Sequence, residues 1–285
     1  MRQYLTGSDL FAYIEMQRQL DARAVVVVEG PDDCGVIDPH VDEEVVHTIP
    51  GYGKASVVDA AVLFEHAGVA RVSLVSDSDF DRQLGLASAL PPNLILTEYH
   101  DLDADIFFGC PTLLTSVLAN FSDRAKRQQY CGSIQKEPVE CIVDIAAIIG
   151  VVRYHSVLQN LHLKMRDFPI GPLIESFEEA GSTVGAILQL AFARSERTDQ
   201  PLQASTINGY VTRLTDVRPY CSGHDLMSIM ACFARARWGG SAGSGVLANA
   251  FRAAVSCACW QQTRIYSDLR RWGAALGVQV WTCAL

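Results

Sequence analysis

Four consecutive valines, at residues 25–28, constrain the fold of this chain more than any other feature. A β-branched run without a polar position fits a strand buried on both faces, as in a parallel sheet. Three further short runs have strand character, at residues 44–49, 72–75 and 94–96. Helical periodicity separates these runs, most clearly over residues 55–67. Strands that alternate with helices predict an α/β fold, a parallel sheet flanked by helices.

Helical periodicity dominates after about residue 110. Five segments carry it, at residues 111–130, 138–150, 170–194, 223–237 and 246–274. We therefore predict an α/β core over residues 1–110 and a mainly helical region over residues 111–285. The helical region is expected to pack partly on the core and partly against a partner or a second copy. The core holds 19 acidic residues against 6 Lys or Arg, and the helical region 13 against 17. The acidic half suits divalent cations, and the basic half suits phosphates or an acidic partner.

Composition and the length of the apolar segments indicate the cellular location of the protein. Apolar residues make up 49% of the 285 residues, which is enough for a sizeable core. The longest apolar run, residues 142–152, is shorter than the roughly 20 residues that cross a bilayer and contains Asp144. The N-terminus carries acids where a signal peptide is apolar. We therefore expect a cytoplasmic protein that does not associate with a membrane.

Cysteine usage favours a reducing compartment. The nine cysteines are scattered, odd in number and never spaced C-x-x-C, so we expect buried, reduced thiols. Cys257, Cys259 and Cys283 lack the spacing of a zinc site and are expected in the core.

Acidic side chains follow three of the predicted strands. Glu29 ends the first, the run Asp77, Asp79 and Asp81 ends the third, and the acid-rich residues 98–105 follow the fourth. The carboxyl ends of parallel strands converge on one edge of the sheet, where such carboxylates repel one another unless a cation lies between them. Aspartates two apart on an extended segment point to the same side. The sequence therefore predicts a Mg²⁺ or Mn²⁺ site held by Glu29, Asp77 and Asp79.

Other acidic motifs fit this pattern less well. An EF-hand loop that starts at Asp77 would need Gly and Glu where Arg82 and Ser88 stand. A receiver domain leaves Glu29 and Asp79 unexplained, and a haloacid-type phosphatase has its Asp-x-Asp after the first strand. Acids that only cap helices and turns remain an alternative.

The order of these motifs resembles the Toprim domain of topoisomerases, bacterial primases and overcoming-lysogenization-defect (OLD) nucleases. The shared motifs are Glu-Gly-x-x-Asp at residues 29–33 and Asp-x-Asp at residues 77–79. Three more motifs are similar to a small OLD-like Toprim family of bacterial anti-phage systems. They are Gly-Lys at residues 53–54, Thr-x-x-His-Asp-Leu at residues 97–102 and Gly-His-Asp-Leu at residues 223–226. Topoisomerase and primase activities are disfavoured, because the chain has no room for their additional domains.

The resemblance implies roles for individual residues. Glu29 becomes a metal ligand or general acid/base, and Asp77 and Asp79 become metal ligands. Asp81 and Asp33 become positions beside that metal or ligands of a second one.

The same resemblance adds two basic side chains to the catalytic set. Lys54, after a Gly-rich turn that is not a Walker A motif, can direct its ammonium at a phosphate, and His224 follows a turn glycine. A surface lysine and a His-Asp pair that only caps a helix remain the alternatives. Asp103 stands where the family usually has Glu, which leaves its role open.

The function implied is a metal-dependent nuclease, the toxin effector of an anti-phage system. Its expected substrate is RNA, particularly tRNA. Its expected partner is an ABC-type ATPase that holds it inactive until infection, and the active form is expected to be a homodimer. Two alternatives stay open: a DNA-nicking nuclease with the same site, and a Toprim regulatory or scaffold subunit that no longer cuts.

Overall fold

The chain forms two compact units in the computed structural model, which describes residues 6–175, 177, 182–196 and 201–283. One unit combines Met1–Cys110 with Arg252–Leu285, and the other is Pro111–Phe251. The α/β class and the largely helical second half are confirmed. The division after Cys110 coincides with the expected boundary. Residues 252–285, however, were assigned to the helical region, and the structure places them in the first unit.

Four parallel strands form the sheet of the first unit, in the order β2-β1-β3-β4. The strands are β1 (Ala24–Val28), β2 (Val46–Pro50), β3 (Val72–Ser76) and β4 (Leu94–Leu96). Val27 on β1 lies opposite Ile49 on one side and Leu74 on the other. Every residue of β1 and β3 is buried, as expected of central strands covered on both faces. The carboxyl ends of all four strands therefore face one edge.

Fourteen α-helices are found in the described residues. In chain order they are α1 (Gly7–Leu20), α2 (Pro31–Ile37), α3 (Lys54–Ala67), α4 (Leu102–Gly109), α5 (Pro111–Phe121), α6 (Arg124–Ile134), α7 (Pro138–Leu158), α8 (Gly171–Glu175), α9 (Ser182–Arg194), α10 (Ala204–Val211), α11 (Gly223–Ala236), α12 (Ser244–Ala253), α13 (Cys257–Trp260) and α14 (Arg264–Ala275). Short 3₁₀ turns lie at Asp38–His40, Ala87–Ala89 and Arg218–Tyr220.

Helices α1 and α3 bury one face of the sheet. Leu10 of α1 and Phe64 of α3 join Val25 and Val27 of β1 in the apolar cluster beneath them. The two helices approach closely at Gly7, where an added Cβ would lie 2.3 Å from the Cβ of Asp59. A residue larger than glycine there would push α1 away from α3 and open this core.

Helix α7 is the long central helix of the second unit. Its 21 residues include an 18-residue window of mean hydropathy 1.7, so its length and composition match those of a membrane span. The helix predicted at residues 138–150 begins at the same residue but ends eight residues too early. Within the structure 67% of that window is buried, as in the core helix of a globular unit. Gly150 makes part of this packing possible, because an added Cβ would lie 1.7 Å from the Tyr220 carbonyl oxygen.

Two disulfides correct the expectation that all nine cysteines are reduced. They join Cys110 to Cys259 and Cys257 to Cys283, all within the first unit. The pairs are 149 and 26 residues apart in sequence, so only folding brings their sulfurs together. The other five cysteines form no disulfide: Cys34, Cys131, Cys141, Cys221 and Cys232.

Candidate metal centre at the carboxyl edge of the sheet

Glu29 and Asp77 meet where the two central strands end. Glu29 follows the last residue of β1, and Asp77 follows Ser76, the last residue of β3. Oε1 of Glu29 accepts hydrogen bonds from the Ser76 hydroxyl at 2.6 Å and from the Asp77 amide at 2.8 Å. The adjacent strands thus fix the Glu29 carboxylate next to Asp77.

Asp33 brings a third carboxylate to the same place from the first turn of α2. Its Oδ2 accepts a hydrogen bond from the Gly30 amide at 2.8 Å, which ties the helix start to the turn after β1. Glu29, Asp33 and Asp77 line a cavity of about 10 Å³. This is about the space that one water molecule or one small cation requires.

Asp79 and Asp81 lie in the loop after β3 and are held by Lys54, the first residue of α3. The Lys54 ammonium lies 2.9 Å from Oδ2 of Asp79 and 2.8 Å from Oδ2 of Asp81. It also donates a hydrogen bond to the Asp77 carbonyl oxygen at 2.8 Å. Gly53, with φ of 125°, supplies the turn that starts α3 at this position. Lys54 therefore neutralises the outer carboxylates of the run.

The loop itself is fixed by the segment after β4. Asp79 has φ of 43°, and its amide donates to the His100 carbonyl oxygen at 2.8 Å. The Ser78 amide donates to the Thr97 hydroxyl at 2.7 Å. The Thr-x-x-His-Asp-Leu motif thus shapes the aspartate loop. His100 also lies beside the loop acids, with Nδ1 3.7 Å from Oδ1 of Asp79.

Arg252 is a residue of this edge that the sequence analysis did not predict. Its guanidinium binds both oxygens of Asp103, with contacts of 3.0 and 2.7 Å, and reaches Asp32 at 2.7 Å. Arg252 lies 149 residues after Asp103, so no local pattern indicates the pairing. Asp103, whose role was open, is therefore bound by an arginine.

The three carboxyl groups around the cavity all have raised pKa values. Burial raises the pKa of Asp77 well above its usual value, and the charges of Asp101, Glu29 and Asp33 raise it further. Burial also raises the pKa of Asp33 to about 7, although the Gly30 hydrogen bond lowers it. For Glu29 burial raises the pKa more than the hydrogen bonds from Ser76 and Asp77 lower it. The fold thus supplies too little positive charge to stabilise the ionised form of all three carboxyl groups. A bound divalent cation would supply that charge.

The predicted ligands thus fall into two sets. Glu29, Asp33 and Asp77 surround the cavity, and their hard oxygen atoms fit Mg²⁺ or Mn²⁺. Asp79 and Asp81 instead form ion pairs with Lys54. Within the described ranges, one group of three or more potential ligands has all its donor atoms within 4.8 Å of one another, and it consists of His40, Cys257 and Cys283. A cation at the strand ends would therefore have to draw the carboxylates together or be completed by water.

His224, the remaining predicted catalytic residue, lies in the second unit at the start of α11. Its Nε2 is 3.6 Å from Oδ1 of Asp167, and its Nδ1 is 3.8 Å from Oδ1 of Asp225. Ser222 caps the helix by accepting from the Asp225 amide at 3.2 Å. Asp225 also forms a 2.9 Å ion pair with Arg153. The Gly-His-Asp-Leu motif thus starts a helix and carries a buried ion pair.

A larger cavity of the first unit, of about 550 Å³, lies between β4 and α14. Arg82, Arg264 and Arg271 line it together with Asp268. Asp268 pairs with both Arg264 and Arg271, at 3.2 Å each. With three guanidinium groups for one carboxylate, this groove has the charge that phosphates require.

Comparison with protein-family models, with curated proteins and with solved structures gives no match for this chain.

Proposed function

We propose that the chain is a metal-dependent phosphodiester hydrolase, a nuclease with a Toprim-like site at the carboxyl edge of its sheet. One observation carries the proposal. Three partly buried carboxyl groups with raised pKa values, those of Glu29, Asp33 and Asp77, line a cavity of the size of a small cation. Carboxyl groups that only cap helices and turns gain nothing from being placed together in this way, since they repel one another.

Each residue has a distinct part in this proposal. A bound Mg²⁺ or Mn²⁺ supplies an activated water and stabilises the charge that develops on the phosphate. Asp77 and Asp33 hold the cation, and Glu29, oriented by Ser76, holds it or accepts the proton of the attacking water. Lys54 keeps the aspartate loop in place and puts a positive charge beside the site.

A nucleic acid is the proposed substrate because the same unit carries the arginine-lined groove. Arg82, Arg264 and Arg271 are suited to a phosphate backbone, and such binding weakens steeply with salt. The choice of tRNA rests on the resemblance to the OLD-like Toprim family. On the same ground we propose a cytoplasmic toxin of an anti-phage system, restrained by an ABC-type ATPase and active as a homodimer.

A cleavage assay tests the proposal. The purified chain is incubated with Mg²⁺ or Mn²⁺ and either a bulk tRNA pool or supercoiled plasmid, with and without EDTA. We expect metal-dependent cutting of tRNA that falls by at least about 100-fold in Asp77→Asn, as expected when an essential ligand is lost. The matched control is Glu65→Gln, an exposed carboxyl on α3, which should cut like the wild type.

Each of the other outcomes would favour a different explanation. Nicking of plasmid alone would replace the ribonuclease with a DNA nuclease that uses the same carboxylates. Equal cutting by the wild type and Asp77→Asn would identify a contaminating nuclease and contradict the proposed site. The assay is therefore repeated on complexes isolated from cells that co-express the neighbouring genes. Failure to cut either nucleic acid there as well would favour the scaffold subunit.

A further inference from the structure

A second group of potential ligands lies in the first unit, and nothing in the proposed nuclease uses it. It consists of His40, Cys257 and Cys283, which we call the His-Cys-Cys cluster. Nδ1 of His40 lies 3.4 Å from Sγ of Cys283 and 3.8 Å from Sγ of Cys257. The three donor atoms all lie within 4.8 Å of one another. His40 and Cys283 are buried, whereas Cys257 is exposed, so the cluster is open to solvent on one side.

The backbone holds the histidine and one cysteine of this cluster together. The Thr282 amide donates to the His40 carbonyl oxygen at 2.9 Å, and the Thr282 hydroxyl donates to the same oxygen at 3.1 Å. Two residues away, the Asp42 amide donates to the Val280 carbonyl oxygen at 2.9 Å. The His40 ring stacks on Trp260, with ring centroids 5.8 Å apart. The imidazole is thus positioned by the same segment that carries Cys283.

The donor set has the chemistry of a zinc site. One imidazole nitrogen and two thiolates are borderline and soft ligands, which Zn²⁺ prefers over Mg²⁺. Burial lowers the pKa of His40 and so favours the neutral imidazole that metal ligation requires. Three protein ligands leave the fourth tetrahedral position to water, on the side where Cys257 is exposed.

We propose that His40, Cys257 and Cys283 bind one Zn²⁺ when the disulfide between the two cysteines is reduced. A dithiol or phosphine reductant supplies two electrons, and two protons complete the two thiols. Zn²⁺ then displaces both thiol protons and forms two Zn–S bonds and one Zn–N bond. The disulfide and the zinc site exclude each other, because a sulfur in a disulfide is not a thiolate. The disulfide joins two residues of the C-terminal segment, whereas the zinc site would also link that segment to His40 of the α/β core.

The cluster was missed in the sequence because its residues are far apart. His40 lies 217 residues before Cys257 and 243 before Cys283. No short motif joins them, and the cysteines were therefore assigned to the core. The inference is independent of the proposed nuclease activity, since it uses none of the strand-end carboxylates.

Metal titration of the full chain tests the proposal. The protein is reduced with a phosphine, kept free of oxygen and titrated with Zn²⁺ in competition with a chromophoric chelator. We expect one tight equivalent per chain in the reduced protein that the oxidised protein lacks. His40→Ala and Cys283→Ser should each weaken zinc binding by at least about tenfold, since even residues that only support a ligand contribute that much. The matched control is Cys259→Ser, which belongs to the other disulfide and should bind zinc like the wild type.

A spectroscopic probe covers the case in which a variant fails to fold. Co²⁺ replaces Zn²⁺ in the reduced wild type, and its absorption reports both the coordination and the ligands. We expect the intense visible bands of a tetrahedral ion and a charge-transfer band from thiolate sulfur. A Co²⁺ spectrum without a thiolate band, no zinc uptake on reduction, or equal weakening by Cys283→Ser and Cys259→Ser would overturn the proposal.

Discussion

Asp77 in the first unit and Asp225 in the second are both withdrawn from water, yet their surroundings shift their pKa values in opposite directions. Burial raises the pKa of Asp77, and its strongest charged neighbours are acidic: Asp101, Glu29, Asp33 and Asp79. Burial also acts to raise the pKa of Asp225, but His224 and Arg153 outweigh it and lower that pKa to about 2. The fold supplies a counter-charge for Asp225 at 2.9 Å.

The difference separates a structural carboxylate from one that we propose binds a cation. A buried carboxylate with its own guanidinium needs nothing further, and removing either partner is costly. Carboxyl groups that face acidic neighbours around a cavity repel one another when ionised, and a cation bound from solution would reduce this repulsion. Motif matching alone does not distinguish the two, because both aspartates lie in motifs of the resembled family.

The largest expected effect is the cost of breaking the internal ion pair. Asp225→Asn leaves Arg153 without its carboxylate, and we expect it to lower the free energy of unfolding by about 3–5 kcal/mol. Urea unfolding followed by circular dichroism measures the change. Asp216→Asn is the matched control, because its partner Arg218 is 47% exposed and the pair contributes little. Equal losses in both variants would contradict the distinction between buried and exposed pairs.

The next effect is a pH dependence that comes from Asp105, a buried carboxyl held by backbone amides. Burial raises its pKa to about 7 despite hydrogen bonds from the Tyr99 and Glu98 amides. The unfolded group titrates at its ordinary lower pKa, so the folded state binds more protons between the two values. The metal-free chain should therefore lose about 2–4 kcal/mol of stability as the pH rises from about 4 to 7.

Unfolding in EDTA at about pH 4 and about pH 7 measures this loss. The neutral amide of Asp105→Asn cannot titrate, so this variant should show a smaller difference between the two conditions. An equal change in stability over this interval in the wild type and Asp105→Asn would contradict the assigned Asp105 shift.

A smaller effect of the opposite sign is expected at the strand ends. Asp77→Asn removes a carboxyl group whose ionised form is disfavoured by burial and by acidic neighbours, so the metal-free variant should be about 1–3 kcal/mol more stable than the wild type at about pH 8. Excess Mg²⁺ should narrow this gap, because only the wild type gains from the cation. Asp77→Asn is thus expected to stabilise the protein and abolish its activity. Destabilisation in EDTA would place Asp77 in the same class as Asp225.

The smallest effect concerns Lys54, the internal cation beside the site. Lys54→Met removes its pairs with Asp79 and Asp81 and should cost about 0.5–1 kcal/mol in EDTA. Added Mg²⁺ should then raise the melting temperature more than it does for the wild type, because two further carboxylates lack a counter-charge. Arg18→Met, which removes a helix-surface pair with Glu15, is the control and should leave the Mg²⁺ response unchanged.

Much of the α/β core could be predicted because its signals are local. The valine run at residues 25–28 covers all of β1 except its first residue, and the acids after β1 and β3 converge once the strands are parallel. Lys54 was a candidate from its turn, but its pairing with Asp79 and Asp81 was not predicted. The segment expected as one helix at residues 111–130 is two, because Asp123 caps α6 through the Lys126 amide at 2.9 Å.

The features that could not be predicted depend on contacts distant in sequence. Arg252 reaches Asp103 across 149 residues, and His40 meets Cys283 across 243. Both contacts follow from the return of residues 252–285 to the first unit, for which no periodicity or motif gave a signal. Side chains that complete a site from a distant segment become visible only in the folded chain.

Binding of Mn²⁺ to the metal-free protein tests the central claim most directly. Electron paramagnetic resonance counts free Mn²⁺ in a titration of the wild type, Asp77→Asn and the control Glu65→Gln at about pH 8, because a higher pH favours the ionised carboxyl groups that bind a cation. We predict saturable binding by the wild type and by Glu65→Gln that is weaker by at least about tenfold in Asp77→Asn. Equal binding by Asp77→Asn, or none by the wild type, would contradict a cation site at the ends of β1 and β3.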